Sequence, residues 1–167
     1  QSRQRQRTMA HDEGEQEFRR ARRDAGNSGL HNVTGTMLSD LAGIYACSTP
    51  GTRIRYNVVH DISRRDYGGW GIYPDQGAHD LLIQKNLVYR CQDGALFAHH
   101  NRGVTAENNI FAFNRSAQIE RGGIGGFELT CRRNLIYYQD GKAVGDNGSG
   151  NDGRDVCAFD HNLYSIT

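Results

Sequence analysis

Five stretches of this chain alternate apolar and polar residues, then break at an Asn followed by two apolar residues. They read Ile54-Arg55-Tyr56-Asn57-Val58-Val59-His60, Ile83-Gln84-Lys85-Asn86-Leu87-Val88-Tyr89 and Ala106-Glu107-Asn108-Asn109-Ile110-Phe111. Two more follow, Cys131-Arg132-Arg133-Asn134-Leu135-Ile136-Tyr137 and Phe159-Asp160-His161-Asn162-Leu163-Tyr164. The aligned Asn residues are 29, 23, 25 and 28 positions apart. A looser copy runs from Asn27 to Asn32. Alternation of this kind marks strands with one face turned inward. A repeat of two to three dozen residues at a constant phase marks a solenoid. An Asn at a sharp corner can bond the backbone there, and equivalent Asn side chains can stack at the ~4.8 Å spacing of hydrogen-bonded strands. The unequal spacing puts insertions at the other corners. An antiparallel sandwich also has many short strands, but has no reason to repeat Asn-apolar-apolar at one phase.

A second family of strands precedes most of these segments: 43–47, 71–75, 95–99 and 118–121. Period-2 alternation turns Ile44, Ile72 and Leu96 inward, and Tyr45, Tyr73, Phe97, Asp75 and His99 outward. Pro74 lacks a ladder donor, so a bend or bulge is expected there. The predicted fold is an all-β, right-handed, single-stranded parallel β-helix of about five to six coils over residues 27–167. Residues 1–26 are polar, with acids from Asp12 to Glu17 ahead of Arg19 to Arg23. They are expected to be a frayed helix or disordered.

Composition agrees with tight corners. Of 167 residues 21 are Gly and only two are Pro, and Gly and Asn both tolerate positive φ. The net charge of +1 creates no overall field to draw nucleic acid or an anionic membrane. No apolar run approaches the ~20 residues of a membrane span, and the chain carries no signal-peptide pattern. The cysteines, Cys47, Cys91, Cys131 and Cys157, form no CxxC pair. They read as buried small hydrophobes ahead of a disulfide, and no zinc knuckle is expected. Asp146, Asp152 and Asp155 fall in Gly/Asn-rich turns, where calcium is the lesser reading beside ordinary acidic loops. No cofactor or metal is expected.

Leu38-Ser39-Asp40-Leu41-Ala42-Gly43-Ile44-Tyr45 and Asp66-Tyr67-Gly68-Gly69-Trp70-Gly71-Ile72-Tyr73-Pro74-Asp75-Gln76-Gly77, with the Asn repeats, resemble bacterial right-handed parallel β-helix carbohydrate-active proteins. The nearest kinds are β-helix glycoside hydrolases acting on fucosides and xylans, and the resemblance spans about residues 27–167. Such proteins usually carry Asp-Glu-Gly where this chain has Asp75-Gln76-Gly77, and His-x-His where it has Ala98-His99-His100. They usually have more coils and an accessory domain upstream, so a fragment of a longer helix is expected here.

The resemblance implies a polysaccharide-processing hydrolase, secreted to an extracellular or periplasmic space, with Asp40 and Asp75 as its carboxylate pair. Glycoside hydrolysis needs one carboxyl protonated and one ionised, ~5 Å apart for retention or ~6.5–9.5 Å for inversion. Asp66 can replace either, and Glu120 is a weaker candidate. His99 is placed to tune Asp75 or bind a hydroxyl. His100 and Arg121 are candidates to line the groove, the Arg for an acidic sugar. Tyr67, Trp70, Tyr73 and Phe97 are candidate sugar platforms. Structural readings stand beside these: Asp40 as a turn cap, Asp75 as a stabiliser of the bend after Pro74, Trp70 as a packed corner, and His60 beside Asp61 as a satisfied corner residue. A polysaccharide lyase using Arg102 or Arg121 as base is one alternative. A non-catalytic carbohydrate-binding or structural β-helix is the other. The expected partner is a polysaccharide or oligosaccharide, with neither nucleic acid nor membrane, and bare coil ends favour self-association.

Overall fold

A computed structural model describes residues 29–31, 39–122, 128–146 and 156–166. The expected N-terminal helix or disordered segment, and Asp152 and Asp155, lie outside the described residues.

The described chain is all strand, wound as a parallel β-helix. Each coil gives one strand to each of three sheets. One sheet is β2 (Leu41–Ala46), β5 (Gly69–Pro74), β8 (Leu96–His99), β11 (Ala117–Gly122) and β14 (Lys142–Asp146). The second is β3 (Arg53–Arg55), β6 (Leu82–Gln84), β9 (Val104–Glu107), β12 (Glu128–Arg132) and β15 (Val156–Asp160). The third has six strands: β1 (Gly29–His31), β4 (Val58–His60), β7 (Leu87–Tyr89), β10 (Ile110–Ala112), β13 (Leu135–Tyr138) and β16 (Leu163–Ile166). Every pairing among them is parallel. Among the described residues no helix is long and apolar enough to cross a membrane.

Register converts the repeat into apolar columns. Ile44, Ile72, Leu96, Ile119 and Val144 stack in the first sheet. Ile54, Ile83, Ala106 and Cys131 stack in the second, and Val59, Val88, Phe111 and Ile136 in the third. These last eight side chains are buried in one continuous core. Each large aliphatic removed from water contributes roughly 1.5–3 kcal/mol.

The repeated Asn forms a ladder at the corner between the second and third sheets. Asn86 Oδ1 accepts from Asn57 Nδ2 at 3.0 Å and from the Asn57 backbone N–H at 3.1 Å. Asn86 donates in the same two ways to Asn109, Asn109 to Asn134, and Asn134 to Asn162. Each Nδ2 also donates to a carbonyl of the corner, such as Asn109 Nδ2 to Ile83 O at 3.0 Å. The residue before each Asn (Tyr56, Lys85, Asn108, Arg133, His161) has φ between 50° and 59°. That left-handed conformation turns the chain, and it is disfavoured for bulky side chains. The ladder holds it in place.

Cys47, Cys91 and Cys131 are free cysteines. Cys91 and Cys131 are buried, as expected of small hydrophobes, and burial pushes the Cys91 thiol up to about 12. Cys47 departs from that expectation and is exposed.

β5 ends at Pro74, and a turn closed by the Ala78 N–H on Asp75 O at 2.9 Å follows it; the alternation itself breaks earlier, at Gly71. A Cβ on Gly71 would sit 2.2 Å from Val88 Cγ1 and 2.7 Å from Ala95 O, so this position faces the core beside Ile72. Two successive inward positions break the alternation, and Trp70 and Tyr73 both emerge on the outer face.

Candidate active site

The outer face of the first sheet carries two features: a packed aromatic layer and a hydrogen-bonded carboxylate. The aromatic layer is Trp70, Tyr73 and Phe97. Trp70 stacks on Phe97 with centroids 4.3 Å apart, and Tyr73 lies 4.8 Å from both rings. Trp70 is 1% exposed and Tyr73 2%. The expectation that they, with Phe97, offer faces for sugar stacking is therefore corrected: these rings face one another. Tyr67 packs edge-on against Trp70 and stays exposed.

Asp75 follows the end of β5 at Pro74 and lies one rung from His99. His99 Nδ1–H donates to Asp75 Oδ1 at 2.7 Å, and the Tyr45 hydroxyl donates to Asp75 Oδ2. The Tyr73 hydroxyl approaches the same His99 nitrogen at 3.5 Å. Burial opposes ionisation of Asp75. The Tyr45 hydroxyl, the His99 ring and the Gln76 backbone N–H outweigh it and hold the carboxyl below the usual carboxylate range. The same carboxylate, after burial, raises the Tyr45 phenol.

Asp40 belongs to this face. Its backbone N–H donates to Tyr67 O at 2.6 Å, and it turns with φ 55°, a conformation Asp tolerates. It lies close enough to Asp75 and His99 for both charges to reach it. Partial desolvation, then the negative charge of Asp75, lift its carboxyl above the ordinary value, while His99 pulls it back. Two neighbouring carboxyls are thus displaced in opposite directions, the pattern that separates an acid from a base.

The other candidates lie elsewhere. Asp66 does not join this pair: its exposed carboxylate sits 3.5 Å from Arg65 on the loop before β5. Glu120 is buried at 4% exposure and accepts from Trp70 Nε1–H at 2.7 Å. Burial raises its pKa, with the Trp70 bond opposing. Arg121 is taken up by Asp146 at 2.5 Å, which raises its pKa. His100 turns with φ 46° and packs edge-on against His99, and it lines a separate cavity with His79, Asp80, Arg102 and Glu128. His60 is a satisfied corner residue, its Nδ1 2.6 Å from Asp61 Oδ2 and its ring stacked on Tyr89. Asp61 also receives two bonds from Arg90, at 2.7 and 2.5 Å. Among the described residues no group of three or more His, Cys, Asp or Glu could hold a metal ion.

Sequence reasoning named Tyr45 as outward but gave it no role. Its place in the same column as Tyr73 was the available signal. It also missed Asp93, which accepts from the Gly69 backbone N–H at 2.8 Å. Arg64 Nε lies 2.9 Å from the same Asp93 oxygen, but its N–H is not aimed along that line, so the contact is one of charge.

No family model, no curated protein and no solved structure matches this chain. The geometry of the outer face is therefore what a functional reading has to rest on.

Proposed function

We propose that this chain is a polysaccharide-processing glycoside hydrolase acting outside the cytoplasm. Asp40 is its general acid, and Asp75 acts at the anomeric carbon, directly or through water. The observation that carries this reading is the Asp75 carboxylate held between the Tyr45 hydroxyl and His99, within electrostatic reach of Asp40, whose carboxyl is displaced in the opposite direction. Asp40 keeps its proton for the glycosidic oxygen and so lets the leaving group depart neutral. Asp75, ionised, supports the developing oxocarbenium charge, with one of its four lone-pair sites left beyond the bonds from Tyr45, His99 and the Gln76 backbone N–H. Water then gives its hydroxyl to the anomeric carbon, and its proton returns to the carboxyl pair, replacing the one Asp40 gave to the leaving group.

The lyase alternative has less behind it. Asp146 holds Arg121 charged, leaving no neutral guanidine to draw a proton from a uronate. The non-catalytic alternative draws support from Gln76, which stands where relatives of the resembled kind carry a third acid.

The pH dependence of kcat/KM for reducing-end release tests the assignment. Activity should rise as Asp75 ionises, with a limb below ~3.9, and fall as Asp40 loses its proton, with a limb above ~3.9. A single limb rising through ~6.5 would assign the chemistry to a histidine and contradict the carboxylate pair.

A further inference from the structure

A cavity of about 220 Å³ opens on the outer face of the first sheet, lined in part by Arg64, Trp70, Asp93, Glu120, Lys142 and Asp146. It differs from the Asp75 cluster in residues and in charge. Glu120 accepts from Trp70 Nε1–H at Oε2 and from the Ser116 side chain, while its buried Oε1 has no partner of its own. A buried oxygen without a partner loses its hydration for nothing, and a ligand supplying a donor would recover that loss.

The charged groups around it are paired unevenly. Asp93 is set against Arg64 at 2.9 Å and Asp146 against Arg121 at 2.5 Å. Lys142 has no carboxylate partner among the described residues. Burial favours the neutral form of Glu120. What remains is one ammonium at the rim with no carboxylate partner among the described residues and one unfilled polar atom in the wall.

We propose that this cavity is a subsite for an acidic sugar, a uronic-acid unit whose carboxylate pairs with Lys142 and whose hydroxyl bonds Glu120 Oε1. That the ligand is a sugar rests on the hydrolase reading; that it is an anion with hydroxyl groups rests on the cavity. The role given at the sequence level to Arg121, recognition of an acidic sugar, passes to Lys142 because Asp146 already occupies Arg121.

Calorimetric titration of the whole chain with galacturonate and glucuronate, against galactose and glucose, tests this without relying on turnover. At least one acid should bind more tightly than its neutral parent by roughly fivefold, the size a partly exposed ion pair supplies. Lys142→Gln, a surface change that leaves the core intact, should bring the acid down to the neutral sugar and leave the neutral sugar unchanged. Glu120→Ala should weaken both. Equal affinity for acid and neutral sugar, no binding of either acid, or an acid affinity unaffected by Lys142→Gln would overturn the proposal. Uronate binding by a chain that cleaves no glycan would keep this subsite and remove the hydrolase. Cleavage of neutral glycans with no affinity for acids would keep the hydrolase and remove the subsite.

Discussion

Two side-chain donors, with the Gln76 backbone N–H, decide the state of Asp75. Its burial alone would favour the neutral acid, yet the Tyr45 hydroxyl and His99 bond its two oxygens separately and keep it ionised. Removing one donor should expose the opposing desolvation. In Tyr45→Phe the Asp75 pKa should rise, because the group that stabilised the charged form is gone while the burial remains. The acid limb of the kcat/KM profile should then move to higher pH, with the alkaline limb from Asp40 almost unmoved. Tyr45 is largely exposed, so the fold should tolerate the change. An unchanged acid limb would show that the hydroxyl does not act on Asp75.

At the scale of single strands and corners, two devices shape the face that carries Asp75. The first is the Asn ladder, in which each internal Asn accepts twice from the coil before it and donates twice to the coil after it. Asn109→Ala would strand the Asn86 backbone N–H, leave Asn86 Nδ2 only its bond to Ile54 O, and remove a donor from the Ile83 carbonyl, all in buried surroundings. The expected loss is about 2–4 kcal/mol in urea unfolding, given ~1–3 kcal/mol for each buried group left unsatisfied. A loss within ~0.5 kcal/mol would show that water can replace the ladder. The second device is Gly71, where the core leaves no room for a Cβ. Gly71→Ala should force Val88 or the Ala95 carbonyl to move, costing about 1–3 kcal/mol. It should also loosen the Trp70 stack on Phe97, readable as a shift in fluorescence of the single Trp. An unshifted spectrum in a destabilised variant would uncouple the break at Gly71 from the aromatic layer.

Over the whole molecule, the architecture was legible because the winding imposes a phase on the chain. Asn57, Asn86, Asn109, Asn134 and Asn162 repeat since each must meet its counterpart one coil away, and that requirement is written in residue type. The left-handed residues before them were not legible. Tyr56, Lys85, Asn108, Arg133 and His161 share a conformation imposed by the ladder and no common side chain. Asp75 and His99 could be paired from the sequence because strands β5 and β8 keep strict alternation between Ile72 and Asp75 and between Leu96 and His99. Trp70 could not be placed, because Gly71 interrupts that alternation one residue away. Lys142 and Asp93 escaped for a different reason: they come from other coils and meet Glu120 only across stacked rungs, with no local motif to mark them.

The claim that most depends on this arrangement is that Asp75 cleaves a glycosidic bond. Reducing-end release from a broad polysaccharide panel by the native chain and by Asp75→Asn, with thermal melts of both, addresses it most directly. The expected result is release by the native chain, a loss of at least ~10³-fold in the variant, and melts that agree closely, since Asn keeps the size of the side chain. Undiminished release by a folded Asp75→Asn chain would contradict the account.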